Sequence, residues 1–130
     1  LVGLRNEEEQ HALSALGEAI QRVGAARAAV ETLENAARQA ETGVQSAAML
    51  EAREASRVRY RRLIDLAKRD LARAIQAESA ARRKHEVAHQ QAEVMRRLAS
   101  TRREEHRVEL ARIETREADE TNTLMYVHRR

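Results

Sequence analysis

His85-Glu86-Val87-Ala88-His89 is the one stretch of this chain whose residue types and spacing match a catalytic pattern. Two imidazoles four residues apart share a helix face, and a glutamate beside them can serve as a base, the arrangement of H-E-x-x-H zinc peptidases. A catalytic zinc also needs a third protein ligand and a walled cleft. No H-x-x-G-x-x-H extension follows, and no sheet is in prospect for the helix to pack against. The expectation is two histidines on a helix surface, His85 near the packing seam, with no metal. P-loop, G-x-S-x-G motif, glycine-rich cradle and cysteine nucleophile are all missing from the sequence. The chain is expected not to be an enzyme and to carry no cofactor.

A second chemistry-bearing group is the arginine cluster Arg57-Val58-Arg59-Tyr60-Arg61-Arg62, followed by Lys68 and Arg69. Such a cluster can grip phosphates or anionic lipid. With Tyr60 and Tyr126 as the only aromatics, base stacking has little to work with. Protein contact is the favoured use and a solvated tip the plain alternative.

The elements that must position these groups are helices. Among 130 residues there is no proline and no cysteine, and 35% of the side chains are charged. Much of the apolar fraction is alanine, which favours helix but buries little area. Leu13, Leu16, Ile20, Val23, Ala26, Val30, Leu33, Ala37, Ala40 and Val44 recur at alternating steps of three and four. That spacing draws one narrow apolar seam along a helix. The periodicity argues against disorder, and the small side chains argue against a compact globule. An all-α antiparallel coiled-coil hairpin satisfies both.

Gly43 and Ser46 mark the best break, a left-handed helix stop followed by a cap. The prediction is a single domain over 1–130, with helix 1 over about 2–42, a turn over 43–47 and helix 2 over about 48–127. Tyr60, Ile64, Ala67, Leu71 and Ala74 continue the seam, then Ala81, Ala88, Ala92, Met95 and Ala99. Leu110, Ile113, Leu124 and Val127 form a later stretch of shifted phase. Folding back at residue 45 sets Val30 near Tyr60 and Leu4 near Glu86, leaving an overhang from about residue 92. An unpaired amphipathic helix is marginal alone and should find a partner or a copy of itself.

The net charge of +3 divides unevenly. Residues 1–56 carry five Lys/Arg against nine Asp/Glu, and 57–130 carry nineteen against twelve. An acidic helix folded on a basic one favours that pairing. No apolar run reaches the roughly 18 residues of a membrane span. Leu1-Val2-Gly3-Leu4-Arg5 is too short for a signal peptide, and the missing initiator Met suggests slight trimming. Cytoplasm is the default.

The C-terminal half is less generic. Met95-Arg96-Arg97-Leu98, the run from Arg102-Arg103-Glu104-Glu105-His106-Arg107 to Leu110-Ala111-Arg112, and Glu114-Thr115-Arg116-Glu117-Ala118-Asp119-Glu120 resemble the closing helix of the FliJ/YscO family. At the N-terminus, Leu1, Leu4-Arg5, Glu7-Glu8-Glu9, Ala12 and Leu16 look like that family's opening. Residues 59–66 are similar to the Tyr-x-x-x-L stretch after its hairpin. Apart from Tyr60, the aromatics typical of the family near the hairpin are absent.

The resemblance implies the central stalk of a type III secretion system, flagellar or virulence, located in the cytoplasm and peripheral to the inner-membrane apparatus. The terminal end would enter and activate the hexameric export ATPase through Leu4, Arg5, Arg103, Arg107, Glu117, Asp119 and Glu120. The hairpin side would contact the export-gate cytoplasmic ring through Arg59, Tyr60, Leu63 and Leu66, and secretion chaperones would be further partners. Two helices about 20 Å across with weak exposed ion pairs suit a shaft in a ring. Rival readings are a nucleic-acid or anionic-membrane binder working through the arginines, and an oligomerising spacer. A homodimer through leftover apolar stripes stays open.

Overall fold

The computed structural model describes residues 1–43 and 46–128. It contains two helices, α1 (Val2–Ala40) and α2 (Ala47–His128), folded back on one another as a hairpin with the second about twice the length of the first. Among the described residues there is no strand.

Local chemistry ends α1 where the glycine and hydroxyl residues permit. The Thr42 hydroxyl donates to the Gln39 carbonyl at 2.8 Å, and the Glu41 and Thr42 N–H groups close 3₁₀-type bonds to Arg38 and Gln39. These satisfy carbonyls that a helix end leaves open. Gly43 then takes φ +81, a left-handed conformation open to glycine at little steric cost. Ser46 starts α2: its Oγ accepts from the Met49 N–H at 3.2 Å, as an N-cap does. Val44, expected in the seam, and Gln45, in the expected turn, lie outside the described residues.

Along α1 the covered positions run Glu9, Ala12, Leu16, Ala19, Val23, Ala26, Val30, Leu33, Ala37 and Ala40; along α2 they include Tyr60, Ile64, Ala67, Leu71, Ala74, Ala81, His85, Ala88, Ala92, Met95 and Ala99. Among the described residues only Leu16, Ala19, Val23 and Ala92 are buried. Here the expected seam needs correction. Leu13 and Ile20 are each 46% exposed, while Ala12 and Ala19 occupy the interface in their place. Both 12-16-19-23 and 13-16-20-23 satisfy a 3-4 ladder. The alanines of α2 opposite this stretch present little bulk, so small residues meet across the contact and the larger pair flanks it.

The register also differs from a simple fold about residue 45. Glu34 faces Lys68 at 3.9 Å, Arg5 donates to Gln91 at 2.8 Å, and Arg96 donates to Asn6 at 2.9 Å. Val30 therefore lies nearer Leu71 than Tyr60, a displacement of roughly three helical turns. The cause is at the tip. Glu41 pairs with Arg57 at 2.9 Å and approaches Arg53, so the opening turns of α2 run beyond the end of α1. As a result the overhang starts near residue 100 and not near 92. Every residue over 100–128 is exposed, a span of about 43 Å at 1.5 Å per residue.

Candidate functional site

The root of the overhang is held by a polar clasp. Glu9 occupies a seam position on α1, and its side chain is only 15% exposed. One carboxylate oxygen sits 2.6 Å from His89 Nδ1 and the other 3.3 Å from Arg96 Nη1. Arg96 also donates to Asn6 and forks onto Glu93 at 2.9 Å. The hydrogen bond with His89, with Arg96 second, holds the Glu9 carboxyl below its ordinary range against the opposing effect of desolvation. Glu93 is lowered by Arg96, and Arg96 is raised chiefly by Glu93. The sequence reading missed this cluster. The usable signal was a glutamate on an otherwise apolar ladder, a residue that must find a partner when covered.

The clasp also takes up the peptidase-like motif. His85 packs half-buried on the seam, its ring stacked 6.1 Å from that of His89, and His89 turns Nδ1 to Glu9. Among the described residues no group of three or more His, Cys, Asp or Glu side chains is arranged to hold a metal ion. The geometry serves packing between helices.

The residues expected to face an ATPase are spread along the open end. Leu4 is exposed and Arg5 bonds Glu8 and Gln91 where the two helices still pair. Arg103, Arg107, Glu117, Asp119 and Glu120 lie beyond, on the solvent-exposed single helix. Arg107 forks onto Glu104 at 2.6 and 3.1 Å, which lowers Glu104 and raises Arg107. At 3.6 residues per turn Arg103, Arg107 and Glu117 share a face with Leu110, whereas Asp119 lies roughly opposite. The set is therefore not one patch.

At the other end the expected gate residues divide. Tyr60 is half-buried in the seam, and the Arg59 guanidinium lies 5.5 Å from its ring centroid, within cation–π range. Leu63 and Leu66 are exposed. Arg57, raised by Glu41, is committed to closing the tip. Arg61 and Arg62 are exposed on the same helix.

What remains is a charged two-helix rod with a single-helix extension, an architecture for contacts along a length. The family model described as flagellar FliJ protein matches residues 1–130. The chain belongs to the FliJ family. No curated protein and no solved structure matches it. FliJ membership ties the chain to flagellar and type III protein export, as an accessory component of the export apparatus. No helix among the described residues is long and apolar enough to cross a membrane.

Proposed function

We propose that this FliJ-family chain is the central stalk of a type III export ATPase complex, entering and activating the ATPase hexamer at one end and linking it to the export gate at the other. It performs no catalysis of its own. The observation that carries the reading is the extension over 100–128, a helix exposed on all sides that continues a paired shaft. A single helix is narrower than the hairpin and can enter a central channel that two helices would fill. Arg103, Arg107, Glu117, Asp119 and Glu120 present charge around it, and Leu4 and Arg5 form the collar where the second helix begins. Individually weak exposed pairs allow such contacts to exchange without locking.

The gate contact uses Arg59, Leu63 and Leu66, with Tyr60 supporting Arg59 from the seam. About 65 Å of helix separates residue 60 from residue 103, enough for the two ends to engage different partners together. Secretion chaperones are further partners, and the complex works in the cytoplasm beside the inner membrane.

The test is ATP hydrolysis by the type III export ATPase of the same organism, with and without this chain, alongside mass photometry for hexamers. Stimulated turnover with more hexamer is expected, and Arg103→Glu with Arg107→Glu should abolish it. No change in either signal with a folded helical chain would reject the ATPase role.

A further inference from the structure

The two long faces of the hairpin differ. On one, the cross-helix pairs Glu34–Lys68, Asn6–Arg96 and Glu9–His89 tie α1 to α2. The other carries a second 3-4 ladder on α2 whose larger side chains, Leu63, Leu66, Val87, Val94 and Leu98, are all exposed, with Leu66, Val87 and Val94 each half or more open; Arg5 of α1 reaches this side at Gln91. Ala77 and Ala80 stand in the middle of this ladder, and with Leu4 and Ala15 of α1 they line an apolar groove between the helices. An apolar stripe at right angles to the first seam is what a helix shows when it has a second helical neighbour.

We propose that this face is covered by a second copy of the chain, packed antiparallel about a two-fold axis at Ala80. The ladder reads Leu63, Leu66, Asp70, Arg73, Ala77, Ala80 and back through Lys84, Val87, Gln91, Val94, Leu98. Turned on itself about Ala80, it sets Leu63 against Leu98 of the second copy and Leu66 against Val94. Asp70 then meets Gln91, Arg73 meets Val87, and no like charges stand directly opposite. An isologous contact requires this self-complementarity, whereas a contact with a different protein does not. The central alanines let two helices approach where they cross.

The area suffices. The ladder runs about 53 Å, and a hairpin about 20 Å wide offers about 1,000 Å², against about 800 Å² per partner in a stable interface. In this arrangement the two extensions project at opposite ends and Leu63 and Leu66 are covered, so the dimer and the gate-bound chain are alternative states of that face.

Because the chain has no cysteine, Ala80→Cys introduces a single thiol at the proposed axis. On mild oxidation of the full chain it should cross-link to a covalent dimer, while Ala72→Cys on the opposite face should not. Sedimentation velocity should give twice the chain mass at tens of micromolar. Val87→Glu should weaken that dimer at least about tenfold without lowering helix content, and Ile75→Glu on the clasped face should leave it intact. A chain that stays monomeric, a dimer indifferent to Val87→Glu, or cross-linking through Ala72→Cys in preference to Ala80→Cys would overturn the proposal.

Discussion

One continuous helix, α2, lives in two environments. From Tyr60 to Ala99 it lies against α1, with alanine, leucine and isoleucine on the shared seam and ion pairs at its border. Over 100–128 its side-chain bonds include Arg107 on Glu104, and the Thr115 and Thr123 hydroxyls donating to the carbonyls of Ala111 and Asp119, all within one helical turn. Local pairs contribute a few tenths of a kcal/mol each, and an isolated helix of this length is marginal in water. Yet the extension exposes larger side chains, Leu110, Ile113 and Leu124, while the paired segment spends mostly alanine on its contact. Apolar bulk has been kept outside the seam between the helices. Such bulk suits an intermolecular surface.

The sharpest way to break this contrast is to charge the two regions in turn. Leu16→Glu with Val23→Glu sets two carboxylates into the most covered part of the seam. The cost, several kcal/mol by the usual penalty for burying a charge, should unzip the hairpin in a circular-dichroism melt. Leu110→Glu with Ile113→Glu should leave the same melt almost unchanged. If both double variants melt alike, the extension is packed and the contrast is wrong.

A milder probe is Leu16→Ala, expected to cost about 2–3 kcal/mol in chemical denaturation because the buried leucine loses its contacts and leaves a gap. Gly43→Ala should follow at about 1 kcal/mol, since φ +81 burdens a side chain at the turn. An undiminished midpoint for Gly43→Ala would mean that the connection does not hold the left-handed turn.

The smallest effect concerns the clasp. Glu9 is held below its ordinary value of 4.5 by His89 and then Arg96. A carboxylate lowered on folding stabilises the folded state fully above its unfolded pKa, and loses that contribution as pH falls through 4.5 toward the folded value. The melting temperature should therefore slip on acidification below about pH 4.5 more in the native chain than in Glu9→Gln. Equal pH profiles would remove Glu9 from the clasp's balance.

The two regions were unequally legible. Helix content, two helices of unequal length and the break near Gly43 follow from local rules, because absent prolines, a left-handed glycine and a serine cap act over a few residues. The Arg/Glu-rich closing segment, with the hairpin position, likewise points to the FliJ family. His89, by contrast, was legible only as a helix-surface histidine at a metal-like spacing, because its partner Glu9 lies 80 positions away.

By itself, then, the sequence determined a helical rod, its turn and its family. The tertiary structure alone decided which 3-4 ladder is buried, where α1 stops along α2, and hence that the free extension begins near residue 100. The reason is periodicity. A ladder of threes and fours fits its neighbour at several phases and registers, and the choice among them falls to contacts made at a distance, such as Glu41 with Arg57 at the tip and Asn6 with Arg96 at the root.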